Sequence, residues 1–100
     1  MKITRSAENG IVTLRPEGWL DTVSSPELGE EVRKITEATA IVLDFDQIEY
    51  MASAGLRQVL ASYQQAKSMG ASFSIINVST KVMSIFKMTD FDKKLDIQPK

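Results

Sequence analysis

Between Ala40 and Ala66 the chain changes its hydrophobic period once, and that change restricts it to few folds. Ala40-Ile41-Val42-Leu43-Asp44-Phe45 carries almost no polar group before Asp44, which predicts a central strand covered on both faces. From Leu56 the apolar residues recur at helical spacing through Val59, Leu60, Tyr63 and Ala66, and Gly70 supplies the stop. Between the two lies an acidic loop with Asp46 and Glu49 that ends at Ser53, where the helix begins. Ser72 to Val78 then reads as another strand. A strand, a helix and a second strand in this order pair in parallel through a right-handed crossover.

The flanks complete the pattern. Lys2 to Ala7 and Ile11 to Leu14 read as strands around Asn9-Gly10, a favoured pair for a tight hairpin turn. Pro16 and Gly18 are expected to end regular pairing, with Trp19-Leu20-Asp21 returning briefly to the sheet. Ser24-Ser25-Pro26-Glu27 is a helix start. Leu28, Val32 and Ile35 face inward from it, Glu30, Glu31, Arg33 and Lys34 point out, and the helix ends between Thr36 and Thr39. Ser79-Thr80 caps a third helix with Val82, Ile85 and Phe86, of which Met83 or Phe86 is a candidate exposed docking contact. Leu95 to Ile97 closes the sheet before Pro99. The expectation is an α/β fold in one domain, 1–100. It is a sandwich with a mixed, mostly parallel sheet, an N-terminal β-hairpin and the order β-β-α-β-α-β-α-β.

Composition removes several functions. With no cysteine and no histidine, the chain lacks thiolate chemistry, the usual general base and the commonest metal ligands. A net charge of −1 with dispersed Lys and Arg is a poor footprint for nucleic acid. No apolar run approaches the roughly 20 residues of a membrane span. The chain opens on a strand-like segment instead of a signal peptide, so a cytoplasmic location is expected.

Ser53 is the residue with chemistry to offer. At a helix start its hydroxyl can accept an orphan backbone N–H as a cap, or carry a phosphate toward the positive end of the helix. Gly55 serves a close approach to a partner or relieves crowding in the first turn. Leu56 leads the apolar stripe, and Arg57 is either solvated or paired with a partner's carboxylate. Asp21, Asp44 and Asp46 have no phosphate-cradling glycine loop beside them, and no metal is expected. Met51-Ala52-Ser53-Ala54-Gly55 lacks the first glycine of a nucleophile elbow, and no histidine is available as base. No enzyme activity and no cofactor are expected.

Val42-Leu43-Asp44-Phe45, followed by Ile48-x-Tyr50-Met51-x-Ser53-Ala54-Gly55-Leu56-Arg57, resembles the signature of STAS domains, which include the bacterial anti-sigma-factor antagonists. Gly18-x-Leu20-Asp21 and Met88-Thr89-Asp90-Phe91 agree with it, the latter resembling a Leu-Thr-Gly-Leu pattern, and the likeness runs from about Met1 to Ile97. The resemblance implies that Ser53 is phosphorylated by an anti-sigma factor that is itself a serine kinase. The unmodified protein then binds the kinase and frees a sigma factor, and the modified one lets go. It implies a partner surface of Ala54, Gly55, Leu56, Arg57 and Gln58 with Asp21, Asp46 and Glu49, and ATP and Mg²⁺ on the kinase. A phosphatase is a further partner, with the chain a monomer or weak dimer. Ala52 stands where many phosphorylated members have aspartate or serine. It points to the alternative of an unphosphorylated scaffold subunit in a transporter or signalling complex, unless Asp46 or Asp21 supplies the acidity.

Overall fold

The computed structural model describes residues 1–100. Its first two strands, β1 (Lys2–Glu8) and β2 (Ile11–Leu20), join through Asn9 and Gly10, which adopt φ of 54° and 81° as a two-residue hairpin turn requires. There follow α1 (Ser25–Arg33), β3 (Ala40–Asp44), β4 (Ile48–Met51), α2 (Ser53–Ser68) and β5 (Ser72–Val78). The chain closes with α3 (Thr80–Met88), α4 (Phe91–Lys94) and β6 (Asp96–Pro99). The sheet runs β1-β2-β3-β5-β6, with β4 joined to the far end of β2. Only β1 with β2 is antiparallel. This is the expected mixed, mostly parallel sheet with its hairpin; β4 and α4 are two short additions to the expected order.

β2 does not stop at Pro16 and Gly18. Pairing with β1 continues through Pro16 opposite Ile3 and Glu17 opposite Lys2. On its other edge β2 leaves β3 at Leu14 and meets β4 only at Gly18. Pro16 falls in that gap, where no parallel neighbour calls on its missing N–H. Pro99 is likewise held inside a strand, on the sheet's outer edge opposite Val78.

β3 is covered on one face only, against expectation. Its burial alternates: Ile41 and Leu43 are buried, while Ala40, Val42 and Asp44 are half-exposed. Val12, Ile41 and Phe73 share one rung, and Leu14, Leu43 and Ile75 the next. These residues, with Phe73 half-buried against the others, make the core with Leu28 and Val32 of α1 and Val59 and Ala66 of α2. Thr13, Val42 and Ser74 lie in register on the opposite face, so an almost purely apolar strand has one helix-free side. α1 also ends earlier than its pattern suggests, at Arg33. Thr39 and Ala40 instead donate their N–H groups to the Gly10 carbonyl at 2.8 and 3.4 Å. The hairpin turn thus draws the chain away from the helix axis, although Ile35 remains buried.

Ser79 caps α3, its hydroxyl oxygen accepting the Val82 N–H at 3.2 Å. Asp90 follows α3 at φ 59°, a left-handed position open to aspartate and the place where the STAS pattern has glycine. Neither Phe86 nor Met83 is an exposed docking contact. Phe86 is fully buried, stacked between Phe45 and Phe91 at centroid distances of 6.4 and 6.2 Å. Met83 is half-buried against the core, and the exposed methionine is Met88, at 83%. Phe86→Ala should therefore cost about 3–5 kcal/mol in urea unfolding, and Met88→Ala no more than about 0.5 kcal/mol.

Candidate functional site

α2 starts where three pieces of backbone converge. The Leu20 carbonyl, at the end of β2, accepts the Ala52 N–H at 2.9 Å. The Ala52 carbonyl then takes the N–H groups of Gly55 and Leu56 at 2.9 and 3.1 Å. Ala52, in extended conformation, is the N-cap and offers no side-chain bond. Ser53 is consequently the first residue inside the helix and does not cap it, which corrects one of its two expected roles. Its side chain is exposed. The N–H groups of Ser53 and Ala54 have no carbonyl to bond, as at any helix start.

Gly55 is buried in this junction. A Cβ there would lie 2.7 Å from the Leu20 carbonyl oxygen and 2.7 Å from Met51 Cγ, closer than such atoms approach. Of its two expected reasons, close approach to a partner and relief of crowding, the structure exhibits the second, and the neighbours are β2 and β4 of the same chain. Leu56, beside it, is half-buried against the core.

Asp21 closes the turn from β2 to α1. Its Oδ1 accepts the N–H groups of Val23 and Ser24, each at 3.0 Å, and lies 3.2 Å from the Ser24 hydroxyl oxygen. The Ser24 N–H, ahead of lesser contributions from Val23 and the Ser24 hydroxyl, holds the Asp21 carboxyl below the usual aspartate range against the opposing effect of desolvation. Ser24 does not cap α1 through its side chain; its hydroxyl accepts the Asp21 N–H at 2.9 Å and donates to the Trp19 carbonyl.

Asp46 and Glu49 do not join this group. The expected acidic loop is interrupted by β4, whose four residues carry the chain roughly 13 Å at about 3.3 Å each before Ser53 is reached. Asp46 and Glu49 border a hollow beside Glu17, Gly18 and Lys100. Asp46 accepts from Gln47 Nε2 at 2.6 Å and Arg15 Nη2 at 2.8 Å, and Lys100 Nζ stands 3.6 Å away. The Gln47 and Arg15 hydrogen bonds lower its pKa. Asp44 is elsewhere again, accepting from Asn77 Nδ2 and the Asp46 N–H, each at 3.0 Å.

Ala54, Arg57 and Gln58 line a groove between α1 and α2, opposite Thr22, Ser25 and Arg33. Arg57 is exposed and Gln58 Nε2 donates to Ser62 Oγ at 3.1 Å. The α1 side of this groove escapes sequence reading, because Arg33 has the spacing of an outward residue and nothing local says α2 will lie beside it. Trp19 escapes it too. It is 58% exposed and packs on Tyr50 at 5.1 Å, with Lys81 Nζ over the Tyr50 ring at 5.4 Å.

This arrangement has known counterparts. The STAS domain family model matches residues 2–100. The chain belongs to the STAS domain family. It is 27% identical over 84 residues to the anti-sigma-B factor antagonist of Bacillus subtilis (strain 168), covering 83% of this chain and 77% of that protein. Its fold is similar to an anti-sigma factor antagonist from Mycobacterium paratuberculosis (TM-score 0.88, 20% identity, 99% of this chain and 86% of that one). It is also similar to the anti-sigma factor antagonist SpoIIAA in its unphosphorylated form (TM-score 0.81, 18% identity, 96% and 87%). The phosphorylated form of Bacillus SpoIIAA matches as well (TM-score 0.75, 16% identity, 96% and 90%). No helix here is long and apolar enough to cross a membrane.

Two measurements check the geometry. Gly55→Ala should destabilise the protein by about 1–3 kcal/mol in urea titrations, the cost of overpacking a filled site. Asp21→Ala should lower the thermal midpoint at neutral pH. Because the folded-state pKa of Asp21 is depressed, its contribution is full above the unfolded aspartate pKa and lost as pH falls through the folded value. The gap between the two proteins should therefore close in acid.

Proposed function

We propose that residues 1–100 act as one STAS unit, an anti-sigma-factor antagonist that works in the cytoplasm by binding and not by catalysis. In this reading the unmodified chain binds an anti-sigma factor with serine kinase activity, and a sigma factor goes free. The kinase transfers the γ-phosphoryl of its ATP to Ser53 Oγ; the O–P bond forms as the bond to the ADP leaving group breaks, and the hydroxyl proton is lost. A phosphatase returns the serine. The partner surface comprises Asp21, Ala54, Arg57 and Gln58 around Ser53, with Gly55 and Leu56 supporting it from within and Asp46 and Glu49 extending it along β4.

The observation that carries this reading is an exposed serine at the first position of α2, in the register of the STAS signature. Its hydroxyl caps nothing, so its modification breaks no structural bond. Phosphate would add about −1.5 to −2 charges and three acceptor oxygens. At a helix N-terminus that charge is tolerated by the fold, with a gain of roughly 0.3–1 kcal/mol. Against a partner surface fitted to a neutral hydroxyl, it costs several kcal/mol. About 3 kcal/mol is a loss of affinity beyond a hundredfold. The fold need not change for the partner to leave.

Ala52 favours a second reading, a scaffold that is never modified. The N-cap position carries no carboxylate, and Asp46 is engaged by Arg15 and Lys100 beyond β4.

Incubation with the cognate kinase and ATP, followed by mass spectrometry, decides between them: phosphate on Ser53 is expected, and an unmodified or differently modified chain leaves only the scaffold. In calorimetry Ser53→Asp should bind the kinase more than a hundredfold more weakly than Ser53→Ala. Equal affinities would remove the electrostatic switch.

A further inference from the structure

The groove between α1 and α2 is a cationic site without a counter-charge. Arg57 enters it from α2 and Arg33 from α1. Neither takes part in any ion pair of the structure, and no carboxylate lines the groove. The neighbouring acid, Asp21, is committed to Val23 and Ser24. Guanidinium groups stay charged at any physiological pH and match the oxygens of carboxylates and phosphates.

Two further features show a built site. Gly29 on α1 leaves open a space that a Cβ would fill, and Gln58 Oε1 and Arg33 Nη1 reach into it, at 2.6 and 3.1 Å from that missing atom. The glycine thus lets α1 and α2 approach with Arg33 laid along the groove. Ser25, only 4% exposed, lines the same groove, and its buried hydroxyl has no hydrogen-bond partner. A buried hydroxyl without a partner costs the fold free energy. The groove is open to solvent and has a volume of about 490 Å³.

Ser53 stands one helical turn before Arg57. Side chains at i and i+4 are neighbours on a helix, with Cβ atoms about 5–6 Å apart. Ser53 itself does not line the groove, but Ala54 beside it does, and the i,i+4 spacing puts a phosphoryl group on Ser53 Oγ on the helix face that Arg57 shares. We propose that the α1–α2 groove is the receptor for the phosphoryl group of Ser53, with Arg57 along the helix and Arg33 across the groove as its cationic partners. The proposal rests on Ser53 being the modified residue. It adds a second effect of modification: besides placing negative charge at the helix start, phosphate withdraws two free arginines from the surface offered to a partner.

The test installs phosphoserine at position 53 during translation, so it needs no kinase and is independent of whether any kinase modifies this residue. Phosphorus NMR then follows the second ionisation of the phosphate in the phosphorylated wild type, Arg57→Gln, Arg33→Gln and Lys67→Gln. Nearby guanidinium groups favour the dianion, so ionisation should occur at lower pH in the wild type than in either arginine variant, by about one unit. Lys67→Gln, in the last turn of α2, should match the wild type, and the Nε–H resonances of Arg57 and Arg33 should move on phosphorylation. Identical ionisation in all four proteins overturns the proposal; the helix end alone would then hold the phosphate.

Discussion

The Leu20 carbonyl is the point on which the rest of the structure turns. It ends β2, accepts the Ala52 N–H and lies so near Gly55 that a Cβ there would stand 2.7 Å from its oxygen. That close contact sets where α2 begins and leaves Ser53 one residue inside it, on the rim. The same strand end continues into the turn that Asp21 holds with the Val23 and Ser24 N–H groups, which fixes the start of α1. Both helices of the candidate site are thus anchored to one strand terminus.

Charge is divided between the two ends of β4. At its start Asp46 is matched by Arg15 and Lys100, and past its exit, in the groove between α1 and α2, Arg33 and Arg57 have no counter-ion. Exposed ion pairs such as these contribute little to stability. Unpaired arginines at the edge of a groove are a different matter, since they are free to meet an oxyanion brought to them. On the proposed reading that oxyanion is the phosphoryl group of Ser53.

Much of this could be read from residues. The hairpin at Asn9-Gly10, the Ser79 cap, the inward stripe of α2 and the order of the longer strands and helices all follow from local preferences and hydrophobic period. The misreadings have specific causes. β4 has only four residues and a register shift against β2 between Gly18 and Trp19, too little for an alternating pattern to be visible. Apolar content in β3 suggested two covered faces, but hydrophobicity does not count helices. Ser53 looked like a cap because serine prefers that position, yet the Leu20 bond to the preceding N–H shifted the helix start by one residue. Phe86 looked available for docking until Phe45 and Phe91 enclosed it.

Residue order alone decided the class of fold and brought one serine to the mouth of the second helix, because helical and strand periods and turn preferences act over a few neighbouring positions. It also decided what chemistry is absent, since no histidine or cysteine is there to perform it. Only the folded chain decided which acids stand together, that Gly55 faces its own strand, and that Arg33 and Arg57 share a groove with Ser25. Those relations join residues as far apart as Ser25 and Arg57, and their partners are chosen by helix packing and strand register, which no short stretch of sequence records.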